Sequence, residues 1–334
     1  MTGLKKSLLG MAASIAMLSG VNPAHALDEI TVAYFLEWPM PFQYAKAEGH
    51  YEKALGVDIN WVSFGSGVAM SAAMASGDVH ISVSQGLPPF VVATSGGQDL
   101  EIVDVAVSYS ENDNCVVAEA LEIDKSNADE LEGKRVAVPL GTAAHYGFLK
   151  QMAHFDVDIG SMDIVNMDPP EGSAAFANGG VDMACGWGAS LRRNLEHGNV
   201  LLTGAEKEEL GILVFDVTSA PANFVAENGD LLAKFLHVTA WTNDQWNSGG
   251  FKDAMLPVIA KDAGMDEKAT EETMATFTFP GVADQLSEKW LGGGAQEFMK
   301  GVADVFVKAE SIDAALPSYD DAVNIGPLQA VATQ

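Results

Sequence analysis

The sequence predicts an α/β protein of two similar lobes, each an open, mostly parallel sheet flanked by helices, with a ligand cleft between them. Three observations carry this. Short apolar strands alternate with helical stretches from Ile30 onward, the signature of parallel α/β architecture. A helix–Gly–strand unit occurs twice, as SGDVHISVS at 76–84 and NGGVDMACG at 178–186. And the stretch KRVAVPLGTAAHYGFLKQMAHF at 134–155 reads as one strand–turn–helix unit. In it Val136–Val138 is a buried strand, Pro139 stops it, Gly141 turns, and an amphipathic helix capped by Thr142 follows. A helix N-terminus at the carboxyl end of a parallel strand suits a small anionic group. The N–H groups of Ala143 and Ala144 would point there, with His145 and Tyr146 as side-chain donors one turn in.

In chain order, Met1–Ala26 reads as a secretory signal peptide. Lys5 and Lys6 form its basic start, Leu8–Val21 its apolar middle, and Ala24-His25-Ala26 its small-x-small cleavage site. Leu27 rather than a cysteine follows, which argues against a lipoprotein anchor. The first strand, Ile30–Leu36, delivers Glu37 and Trp38 to its carboxyl end. A helix Phe42–Leu55, the strand DINWVSF and a Ser66-Gly67 turn come next. A small-residue helix then ends at Gly77 in a left-handed cap. The strand Val79–Val83, the turn Ser84-Gln85-Gly86 and a helix with proline in its first turn repeat the pattern. EIVDVAVSYS and CVVAEA are the fourth and fifth strands.

The first lobe is expected over 27–118 and 223–334, the latter mostly helical, and the second over 119–222. The strand segments near 114–118 and 214–225 would cross between them, allowing a hinge. In the second lobe Gly186-Trp187-Gly188 takes the strand-end place that Ser84-Gln85-Gly86 holds in the first.

The chain of 334 residues carries 18 Lys+Arg against 46 Asp+Glu. Cleavage of the leader would leave about 308 residues and a charge of about −30. That excess excludes nucleic acid or anionic lipid as a partner. Arg135, Arg192 and Arg193 are the only arginines, so a bound anion must be held largely by neutral donors, which favours a small or zwitterionic ligand. Cys115 and Cys185 either pair, as an oxidising compartment permits, or remain two separate buried thiols. Neither they nor any nearby histidine makes a metal site, and no cofactor fingerprint is present.

Five stretches occur together in one order: 66–81 (SGVAMSAAMASGDVHI), LEGKRVAVP…HY…L at 131–149, IVNMDPP at 164–170, VDMACGW at 181–187 and FDV at 215–217. Together they make the chain resemble the periplasmic substrate-binding proteins of ABC importers, in the nitrate/alkanesulfonate/taurine group, with its taurine-binding branch nearest. The resemblance implies a type II two-lobe fold closing over one small solute. It also implies a monomer that delivers its ligand to a membrane permease and ATPase. Asp216 falls at the position that holds the ligand ammonium. Ser66, Gly67, Gln85, Gly86, Thr142, Ala143, His145 and Tyr146 fall where the family holds the sulfonate. Trp187 matches an aromatic at the strand end of the second lobe, where it either faces the cleft or fills the core. FLEWPMP departs from the taurine pattern, and Glu37 beside Trp38 could form a corner for a bulkier cation.

The function this predicts is periplasmic binding of a small zwitterionic sulfonate, taurine first. Choline or betaine is the alternative if the aromatic corner forms. A periplasmic sensor or chemoreceptor adaptor would use the same pocket, and an enzyme is a further class, since a pyrimidine-synthesising enzyme shares the fold. His50, His80, His145, His154 and Asp168 would be its acid–base groups. No GxSxG, HExxH, P-loop or dinucleotide fingerprint supports it.

Overall fold

A computed structural model describes residues 27–333; the expected signal peptide lies outside the described residues. Two five-stranded sheets form the framework. The first runs in the order β2 (Asp58–Phe64), β1 (Glu29–Phe35), β3 (Ile81–Gly86), β10 (Phe215–Pro221), β4 (Leu100–Ser108). The second runs β7 (Asp163–Asn166), β6 (Arg135–Val138), β8 (Met183–Trp187), β5 (Asp113–Ala118), β9 (Gly198–Val200). Both place three parallel strands beside one antiparallel strand that came from the other end of the excursion. The repeated helix–Gly–strand units therefore occupy equivalent places, ending in β3 and β8.

Sheet membership corrects the expected boundary at both crossings. Asp113–Ala118, expected to close the first lobe, pairs with β8 and β9 in the second sheet. Phe215–Pro221, expected in the second lobe, pairs with β3 and β4 in the first. The apolar content of such strands shows that they are buried but not which sheet they complete. The crossings are the segments just outside them, 109–112 and 201–214.

Local chemistry sets the element ends. The single helix expected over 42–55 is two, Phe42–Ala47 and His50–Leu55, because Gly49 adopts φ +66 and breaks the turn. Gly77 forms the anticipated left-handed cap at φ 82. Pro88 and Pro89 stand in the first turn of the helix Leu87–Ser95, where their missing N–H groups cost nothing. Ser84-Gln85-Gly86 and Gly186-Trp187 are the last residues of β3 and β8 rather than turns. Cys115 and Cys185 face each other across β5 and β8 and form a disulfide. No helix among the described residues is long and apolar enough to cross a membrane.

Three glycines mark close approaches between the lobes. A Cβ on Gly188, at φ +55, would lie 3.1 Å from the Glu37 carbonyl oxygen and 3.3 Å from the Trp38 ring. One on Gly141, at φ +78, would touch Val68 at 3.4 Å. Gly65 sits against the Asp168 carboxylate in the same way, at 3.3 Å. Each pair joins residues of different lobes; a side chain at Gly188 would press the lobes apart as well as strain the backbone, whereas one at Gly141 would meet Val68 at ordinary contact distance and only strain the backbone.

Candidate functional site

Between the carboxyl ends of the two sheets lies a small inner chamber of about 20 Å³, beside an outer cleft of about 430 Å³. Phe35, at the end of β1, and Trp187, at the end of β8, line both spaces with ring centroids 6.2 Å apart. The inner volume is about that of one water probe, so an organic ligand requires the lobes or this aromatic pair to part. Gly67, Thr142, Ala143, Trp187 and Asp216, five of the residues predicted for the site, line the chamber, as does Gly86. Phe35, Pro89, Tyr109 and Asp113 are the lining residues the sequence did not single out.

The acidic end is built by β10 and β3. Asp216 is 2 % exposed. Its Oδ2 accepts a hydrogen bond from Ser84 Oγ at 2.7 Å, and its Oδ1 accepts one from Tyr109 OH at 2.5 Å. Burial raises its pKa to about 7, against the lowering effect of those two donors, and Asp113 raises it further. Ser84 holds this geometry from a left-handed φ of 63, an uncommon conformation for a residue with a side chain. Asp113, first residue of β5, is fully buried too, and burial likewise raises it to about 7 while Lys207 pulls it down.

Helix starts from both lobes line the same chamber. Ser66 caps the helix Gly67–Ser76 by accepting from Ala69 N, and Thr142 caps Ala143–His154 by accepting from His145 N. With their caps thus engaged, the first N–H groups of each helix, at Gly67 and Ala143, remain to serve an anion. No lysine or arginine lines the chamber.

Six predicted contacts lie outside the chamber wall, for reasons visible in their hydrogen bonds and packing. Trp38 is 2 % exposed and lies behind the chamber. Its Nε1 donates to Ser84 Oγ at 2.9 Å, and its ring packs edge-on against Tyr109 at 4.7 Å and against Phe277 at 4.6 Å. The expected Glu37–Trp38 cation corner therefore does not form. Glu37 lines the outer cleft, where it reaches across to Arg193 at 3.4 Å. Gln85 is spent as a brace: Nε2 donates to Gly67 O at 2.9 Å and to Ser71 Oγ, and Oε1 accepts from Ser219 Oγ at 2.6 Å. His145 folds back so that Nδ1 accepts from Gly141 N at 3.1 Å, and its ring stacks on Phe306 at 5.2 Å. Burial lowers its pKa to about 4, which keeps it neutral. Tyr146 packs edge-on against Phe298 and Phe306. Neither His145 nor Tyr146 lines the chamber. Ser66 acts through its cap rather than as part of the wall.

A two-lobe cleft lined by buried carboxylates and by bare helix starts defines a solute-binding architecture, and comparison with known proteins places it. Residues 39–243 match the NMT1/THI5-like family, and the chain belongs to that family. It is 30 % identical to the taurine-binding periplasmic protein of Escherichia coli K12 over 206 residues, 62 % of this chain and 62 % of that protein. It is also 25 % identical, over 70 % of its length and 72 % of the relative's, to a putative aliphatic sulfonates-binding protein of Bacillus subtilis 168. Among solved structures, the periplasmic aliphatic sulphonate-binding protein SsuA of E. coli superposes with a TM-score of 0.68 at 20 % identity. That alignment covers 86 % of this chain and 90 % of SsuA. The alkanesulfonate-binding SsuA of Xanthomonas axonopodis pv. citri, bound to MOPS, gives 0.70 at 19 % identity, covering 85 % and 94 %. The fold is that of the type II periplasmic binding proteins, two mixed five-stranded sheets flanked by helices. The curated relatives are described as binding proteins and none as an enzyme.

Proposed function

We propose that this protein binds taurine, or a closely similar small amino sulfonate, between its lobes in the periplasm and delivers it to the permease of an ABC importer. The observation that carries the reading is the polarity of the inner chamber. Asp216 lines it, held by Ser84 and Tyr109. The starts of the Gly67 helix from one lobe and the Ala143 helix from the other line the same chamber. A zwitterion would complete both ends at once, its ammonium against the carboxylate and its sulfonate oxygens against backbone N–H groups. Because the two helix starts belong to different lobes, an anion shared between them would favour closure. The wall needs no basic side chain, since each end of the ligand is met by a group of opposite polarity.

Closure would then be the signal read by the permease, with the protein acting as a monomer. Titration calorimetry with taurine, hypotaurine, ethanesulfonate, nitrate, choline and glycine betaine tests the reading. Taurine or hypotaurine should bind most tightly. Choline or betaine binding more tightly than any sulfonate would replace it with a quaternary-ammonium site.

A further inference from the structure

Asp113 carries no expectation from sequence, yet it lies at the base of the cleft where the chain enters the second lobe. It is 1 % exposed and lines the inner chamber together with Asp216. Its Oδ2 has no hydrogen-bond partner. The nearby cation, Lys207, is as deeply buried, but its Nζ donates to the Asp113 main-chain oxygen rather than to the carboxylate. Among the described residues no lysine, arginine or histidine nitrogen lies within 4.0 Å of either carboxylate. An acceptor buried without a partner is costly and rare in folded proteins, and the residue that carries this one lines a space between two lobes.

We propose that Asp113 is a ligand-binding, specificity-determining residue that faces the same cation as Asp216, making a two-carboxylate clamp for an N–H-bearing cation, a primary ammonium or a guanidinium. The proposal rests on the reading of the chamber as the solute site. A primary ammonium has three N–H donors to divide between Asp113 Oδ2 and the lone pairs that Ser84 and Tyr109 leave free on Asp216. A quaternary ammonium has none. It would leave Asp113 Oδ2 unmet and would depend on aromatic faces, of which the chamber offers Phe35, Trp187 and a Tyr109 whose hydroxyl is already engaged.

The clamp also couples binding to protons. The titratable groups facing it are Tyr109, Asp113, Asp216 and Lys207, with Glu111 and Glu208 around the lysine. Burial raises both aspartates to about 7, so near neutral pH the pair retains protons that a bound cation displaces to the buffer.

The test is calorimetry of taurine, guanidinoethylsulfonate and choline against the wild type and Asp113→Asn, each in two buffers of different ionisation enthalpy. The expected result is a tenfold or greater loss of taurine affinity in D113N, a smaller taurine-over-choline preference, and reduced proton release. For the wild type alone, which needs no variant to fold, taurine affinity should rise between pH 6 and pH 8. Taurine affinity within threefold of wild type in D113N, with unchanged proton release, overturns the clamp and leaves the solute site standing. A wild type that binds neither amino nor guanidino sulfonate, or that prefers choline, overturns both.

Discussion

Replacing Asp216 by asparagine removes the charge at the acidic end of the chamber while preserving its shape. Both carboxylate oxygens are already engaged, by Ser84 Oγ at 2.7 Å and Tyr109 OH at 2.5 Å. Either hydroxyl can reverse and accept from the new amide, so the fold should survive. What is lost is a charge-assisted hydrogen bond to the ligand ammonium, about 1.5–3 kcal/mol. With about 1.4 kcal/mol for each factor of ten, taurine affinity should fall by about 10- to 150-fold. The same substitution predicts an opposite effect on the empty protein. Burial raises the carboxyl pKa from 3.8 to about 7, so across that window the folded state holds a proton that the unfolded state has lost. Stability from this group is therefore present at low pH and declines as pH rises toward 7. Asp216→Asn abolishes that decline, and the ligand-free variant should melt above the wild type at pH 8, with the gap narrowing toward pH 5. Calorimetry gives the first quantity and thermal denaturation across pH the second. Unchanged taurine affinity would remove Asp216 from the site, and a lower melting point at pH 8 would refute the account of its burial.

Other substitutions probe the supports. Gly188→Ala places a methyl 3.1 Å from the Glu37 carbonyl oxygen at a backbone φ of +55; it should lower taurine affinity by opposing closure, and small-angle scattering should show a more open particle in saturating taurine. Arg193→Ala breaks the pair with Glu37 across the outer cleft, but both side chains are nearly half exposed, at 45 % and 44 %. Such pairs contribute about 0.2–1 kcal/mol, so affinity should change by no more than about fivefold in calorimetry. Removing the disulfide as Cys115→Ala/Cys185→Ala opens a loop of 70 residues in sequence separation. Chain-entropy arguments give a loss of about 4 kcal/mol, readable by chemical denaturation. His145→Ala strips the acceptor from Gly141 N and the stack on Phe306; it should cost about 1–3 kcal/mol of stability in the same denaturation experiment.

The parts legible in the sequence were those with a local cause. Thr142 follows a strand, Pro139 and Gly141, and it caps its helix as that order implies. Ser66 does the same for its own helix. Asp216 was reached through the FDV resemblance, and β10 places it in the chamber wall. What failed to show depended on which way a side chain turns. Trp38 follows a strand end and looks like a cleft residue, but its indole N–H is drawn inward by Ser84 and its ring by Tyr109 and Phe277. His145 is one turn into an anion-facing helix, yet it satisfies the Gly141 N–H of its own turn. Asp113 escaped because an acidic residue in the run SENDN carries no pattern of its own. One clue was available: if Cys115 pairs with Cys185 across antiparallel strands, two steps along each strand set Asp113 opposite Trp187, as the observed register does.

The central claim is that one small zwitterion lies across the closed chamber with a fixed direction. A crystal structure with taurine bound tests it most directly. The account predicts the amine nitrogen within hydrogen-bonding distance of Asp216 and Asp113, and sulfonate oxygens on the N–H groups of Gly67 and Ala143. Taurine seated with its sulfonate toward Asp216, or held only in the outer cleft beside Glu37 and Arg193, would contradict it.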